Sequence, residues 1–64
     1  MKISYSDVTG YETQWPTPLA AIYDNLTVEQ LTQNVVAGDA KFLMLSNGTC
    51  LNVRYLVTFR IVEC

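Results

Sequence analysis

Residues 40–63 read AKFLMLSNGTCLNVRYLVTFRIVE, and the Asn47-Gly48 pair at the centre of this stretch decides how the chain folds. Asn-Gly between two alternating apolar runs is a strong short hairpin signal, because both residues tolerate the positive φ of a tight two-residue turn. Such a turn sets Ser46 opposite Thr49, Met44 opposite Leu51, Phe42 opposite Val53 and Ala40 opposite Tyr55. Cross-strand partners share a face, so this register predicts an apolar face built on Met44, Leu51, Phe42 and Val53. The other face carries Leu45 with Cys50, Leu43 with Asn52, and Lys41 with Arg54. A slip of one residue exchanges the two sets.

The second arm outruns the first. Leu51, Val53, Tyr55, Val57, Phe59 and Ile61 continue one apolar side, and a strand of that length needs another neighbour for its far half. Residues 1–8 are the expected partner, with Ile3 and Tyr5 on one face and Lys2, Ser4 and Ser6 on the other. The alternative is a bend near Arg54-Tyr55 that makes two shorter strands.

Between these strands the spacing predicts two helices. Trp15-Pro16 is extended, since a residue before proline avoids the helical region. Thr17 then reads as an N-cap with Pro18 at the first helical position, followed by Leu19, Ile22, Tyr23 and Leu26 on one face. Thr27-Val-Glu-Gln30 resembles a capping box opening a second helix, with Val28, Leu31 and Val35 along one side and Gly38 at the C′ position. The resulting expectation is an α+β fold of one domain, residues 1–64. It has a small three-stranded antiparallel sheet in the order β-α-α-β-β, with two short helices packed on one face. Trp15 is expected to pack at the rim of that core.

A chain of 64 residues with 50% hydrophobic and 16% charged residues folds, but around a small core. So apolar a composition favours covering the excess by self-association, and a homo-oligomer is expected. The net charge of −2 lacks the basic balance of a nucleic-acid binder. No apolar run reaches membrane-spanning length, and Met1-Lys2 leads into polar residues rather than a signal-peptide core, so a cytoplasmic location is expected, in a host cell if the chain is viral. The Asn-x-Thr tripeptides at Asn25 and Asn47 then read as cap and turn chemistry. Along one continuous strand, Cys50 and Cys64 stand roughly 45 Å apart, too far for a disulfide.

The chemistry-bearing residues exclude more than they assign. With no histidine, Ser-His-Asp and Cys-His nucleophilic arrangements are impossible. The two cysteines and six carboxylates follow no metal-ligand spacing, and the three glycines form no phosphate loop. No catalytic residue, no metal and no cofactor is therefore assigned. The distinctive feature is the polar hairpin face, where Lys41 opposes Arg54 and Arg60 lies farther along, with Leu43, Leu45 and Asn52 among them. Opposed like charges cost up to about 1 kcal/mol, so an anionic counterpart is the natural complement. Such a mixed basic and apolar face fits an acidic protein surface better than a polynucleotide.

The expected function is that of a small non-enzymatic binding or inhibitor protein that occupies a partner protein stoichiometrically. The alternative is an oligomer holding an anionic small molecule, such as a nucleotide signal, between subunits. In size and character the chain resembles the small accessory proteins, anti-host or anti-defence, of phages and other mobile elements. That resemblance transfers no residue role.

Overall fold

In the computed structural model, which describes residues 1–63, the N-terminal strand β1 (Lys2–Asp7) lies at the centre of a three-stranded antiparallel sheet. One neighbour is β5 (Leu56–Val62), in the register Ile3↔Ile61 and Tyr5↔Phe59 on the inner face and Ser4↔Arg60 and Ser6↔Thr58 on the outer. The expected partner for the far half of the second arm is thus in place. The register slips by one between Ser6 and Asp7, where Val57 is the extra residue of a bulge. The other neighbour, β2 (Thr17–Pro18), is a two-residue strand set by Lys2↔Pro18 and Ile3↔Thr17.

The pairing of β2 corrects the first predicted helix. Thr17 and Pro18 are extended rather than capping, and helical geometry appears only as a 3₁₀ turn at Ala21–Tyr23. The backbone groups of this segment are claimed by strands on both sides. Leu19 N–H donates to the Met1 carbonyl (2.9 Å), and Ala20 N–H donates to the Met44 carbonyl (2.9 Å). Extended pairing in two directions outweighs a helix of two turns, which nucleates poorly on its own. Ile22 is left exposed while Leu19 is buried, so the predicted helical face is split.

The second helix, α1 (Val28–Val36), forms as its sequence dictates. Thr27 Oγ1 accepts from Gln30 N–H (3.0 Å) and Gln30 Oε1 accepts from Thr27 N–H (2.9 Å), closing the capping box. At its end Gly38 takes φ +81°, with Gly38 N–H donating to Val35 and Asp39 N–H to Asn34, the paired bonds of a Schellman ending. Leu31 and Val35 turn into the core, and the helix lies against β5. The fold is α+β with antiparallel sheets, but the described residues hold one α-helix where two were expected, and the chain order is β-β-α-β-β-β over two sheets rather than β-α-α-β-β over one.

The hairpin forms a second sheet from β3 (Phe42–Met44) and β4 (Cys50–Asn52). Its register is one residue away from the expected one: Phe42↔Asn52, Leu43↔Leu51 and Met44↔Cys50. The turn explains the shift. Leu45 N–H donates to Thr49 carbonyl (2.8 Å) and Gly48 N–H to Leu45 carbonyl (3.0 Å), so the loop holds three residues, Ser46, Asn47 and Gly48. Gly48 alone has positive φ (+89°), and Asn47 does not; its Oδ1 instead accepts from Thr49 N–H (3.0 Å). A type I turn followed by a left-handed glycine gives this three-residue loop, whereas a two-residue type I′ turn needs positive φ at both central residues.

Beyond β4 the chain does bend near Arg54-Tyr55. Asn52 Oδ1 accepts from Arg54 N–H (3.0 Å) and starts a 3₁₀ turn, Val53–Tyr55, before β5 begins. The two sheets are tied by the bridge Leu19↔Leu45. The core consists of Ile3, Leu19, Leu31, Val35, Leu43, Leu45 and Ile61.

Candidate partner-binding surface

The register shift redistributes the six residues predicted to share one face. Leu43 is 0% exposed and Leu45 is buried beside it, so neither reaches any partner; both are core. Lys41 no longer opposes Arg54, because Val53 N–H donates to the Lys41 carbonyl (3.1 Å). Arg54 stands exposed on the 3₁₀ turn, and Asn52 is half-buried with its side-chain oxygen engaged by Arg54 N–H. Arg60 belongs to the other sheet, on the outer face opposite Ser4, and Lys2 lies diagonally across on that face. The expected patch is therefore two separate groups of cations. Lys41 and Arg54 both lie at the open end of the hairpin, Lys41 paired with Val53 and Arg54 following Val53 on the 3₁₀ turn.

What the shift turns outward is a different apolar face. Phe42 is 60% exposed, Met44 partly so, and Cys50 lies opposite Met44 with its thiol free. Tyr23 and Ala20 secure this strand from its other side. Tyr23 Oη accepts from Met44 N–H (2.9 Å), and Ala20 N–H donates to Met44 carbonyl. Ile22, in the same 3₁₀ turn as Tyr23, is exposed. Charge is distributed along the chain to match: residues 40–62 contain Lys41, Arg54 and Arg60 and no acid, whereas residues 1–39 contain five acids and only Lys2.

No protein-family model, curated protein or solved structure matches this chain. Its surfaces must therefore be read from their own chemistry.

Two further surfaces were not visible as such in the sequence. Trp15, expected at the rim of the core, is 79% exposed. With Tyr11, Glu12, Gln14, Pro16 and Pro18 it lines a groove of about 430 Å³. On the outer face of the larger sheet a depression of about 210 Å³ lies among Ser4, Glu12, Thr58 and Arg60, beside the Ser6–Thr58 hydroxyl pair at 2.7 Å. Near one end of these features Asp7 Oδ1 accepts from the hydroxyl and N–H of Thr9 and from Tyr11 N–H (3.3 Å). The Thr9 hydroxyl bond, supported by the two backbone donors, holds the Asp7 carboxyl below the usual range despite some opposing desolvation. Burial, with Tyr11 and Asp7 adding to it, raises the phenol of Tyr5, whose ring sits 5.8 Å from that of Tyr11.

Among the described residues no three His, Cys, Asp or Glu side chains group as a metal would need, and no helix is long and apolar enough to cross a membrane. Cys64, whose distance from Cys50 entered the sequence reading, lies outside the described residues.

Proposed function

We propose that this protein is a non-enzymatic binding protein that occupies an acidic surface of a partner protein through the outer face of its hairpin. The observation that carries the reading is the exposure of Phe42 beside Met44, on a hairpin whose charged residues are Lys41 and Arg54 alone. An exposed aromatic and a methionine on a hairpin whose end carries a guanidinium is the composition of an interface centre. The absence of any acid from residues 40–62 selects the partner's sign. Leu43 and Leu45 leave the proposed contact set, Asn52 stays as the hydrogen-bonded support of Arg54, and Arg60 lies outside it.

The comparison that tests this is between the wild-type chain and two variants as bait in extracts of the native source. Lys41→Glu with Arg54→Glu is expected to lose a partner that wild type retains at low salt and releases at high salt. Arg60→Glu is expected to keep it. Equal retention by all three baits would overturn the assignment of the hairpin face. Self-association belongs to the same proposal, and sedimentation equilibrium at two salt concentrations reads it directly.

A further inference from the structure

We infer that the groove between Tyr11 and Pro18 is a second docking site, for an extended, proline-flanked and arginine-bearing segment of a partner protein.

A tryptophan that is 79% exposed and a tyrosine that is 54% exposed line one groove, which is an unusual disposition for the largest side chains of so small a core. The floor is already rigid. Pro16 and Pro18 fix their own φ, the chain bends at Gln14 and Trp15, and Thr17–Pro18 is pinned to β1. Behind Tyr11, Thr13 N–H donates to Tyr5 carbonyl (3.0 Å) and Asp7 N–H donates to Tyr11 carbonyl (3.0 Å), so the near wall is anchored as well. A site ordered before binding loses little entropy when occupied. Rigid aromatic grooves are matched by the polyproline II conformation, which brings its own low entropy.

Charge selects the residue among the prolines. Among the described residues Glu12 is the one charged residue lining the groove, and although Arg60 lines the adjoining depression with it, its carboxylate makes no hydrogen bond or ion pair with any described residue. Asp7, ionised through the physiological range, hydrogen-bonds the Tyr11 backbone at the same end. Lys2 stands opposite Pro18 at the other end. A cation therefore belongs at the Tyr11–Glu12–Trp15 end, where a guanidinium stacks on an aromatic face while pairing with a carboxylate. A nucleic-acid strand offers stacking too, but its phosphates would meet Glu12.

Trp15 is the only tryptophan in the chain, so its fluorescence reports the site. The probes are acetyl-Pro-Pro-Arg-Pro-Pro-amide and the same peptide with glutamate in place of arginine. The arginine peptide is expected to change Trp15 emission saturably and the glutamate peptide to bind at least about fivefold more weakly. Glu12→Gln, at an exposed position, is expected to leave thermal unfolding in place and weaken the arginine peptide roughly two- to fivefold. An absent or non-saturable response, equal response to both peptides, or indifference to Glu12→Gln would overturn the inference. So would an emission change driven by protein concentration alone, which would place a second copy in the groove, or a tighter response to a single-stranded oligonucleotide.

Discussion

Truncating Leu43 and truncating its neighbour Phe42 separate the two possible hairpin registers by their stabilities. Leu43 has no exposed surface and packs in the cluster with Ile3, Leu31 and Ile61, so Leu43→Ala is expected to cost about 2–5 kcal/mol. Small cores supply only about 3–5 kcal/mol in total, so this one change removes about half of the stability or more. At roughly 4–8 °C per kcal/mol for a domain of this size, the melting temperature falls by at least about 8 °C, and at the upper end of the range the variant is unfolded. Phe42 is 60% exposed, so little of its ring leaves water on folding, and Phe42→Ala is expected to cost about 1 kcal/mol or less. The assay is urea unfolding followed by far-ultraviolet circular dichroism, because exposed Trp15 is a poor reporter of the core. A larger loss for Phe42→Ala than for Leu43→Ala would refute the register and restore the two-residue turn.

Three other outcomes follow from local geometry. Thr27→Ala removes the acceptor for Gln30 N–H and half of the reciprocal cap, and is expected to lower stability by about 1 kcal/mol in the same assay. Gly48→Ala places a Cβ where φ is +89°, and is expected to cost about 1–2 kcal/mol although open space surrounds the position, whereas Asn47→Ala loses only the bond to Thr49 N–H. Asp7 has a folded pKa below its ordinary value of 3.8, so its contribution is fully present above that value and is lost as pH falls through the folded pKa. Asp7→Asn is therefore expected to lower the urea midpoint at pH 7, and the gap from wild type is expected to shrink at pH 3.

How much of this was legible in the sequence depended on whether one local rule acted alone. The reversal at Asn47-Gly48, the capped helix from Thr27 to Gly38 and the partnership of β1 with the far end of the last strand were all readable. Each rests on its own turn, cap or alternation. The register was not readable, because Asn-Gly serves both the two-residue and the three-residue loop, and Phe42-Leu-Met-Leu45 is apolar at every position. With no polar residue in that arm, alternation does not say which side faces inward.

That single slip moved Leu43 and Leu45 into the core and dissolved the predicted contact patch. Thr17-Pro18 misled for another reason. The same pair suits a helix start or an edge strand, and the choice was made by β1 and β3, far away in sequence. Trp15, expected at the rim of the core, and Tyr55, read by alternation onto the apolar side of the last arm, are both exposed, Tyr55 on the 3₁₀ turn that interrupts that alternation.

The most direct test of the whole account is a cross-strand proton contact measurement by NMR across the hairpin. Non-hydrogen-bonded pairs in an antiparallel ladder bring their Cα atoms to about 4.5 Å and give strong Hα–Hα contacts. The bonds joining Lys41 to Val53 and Leu45 to Thr49 place those contacts at Phe42–Asn52 and Met44–Cys50. Finding both is the predicted result; strong contacts joining Leu45 to Cys50 and Leu43 to Asn52, the non-hydrogen-bonded pairs of a two-residue turn, would contradict it and return Leu43 and Leu45 to the surface.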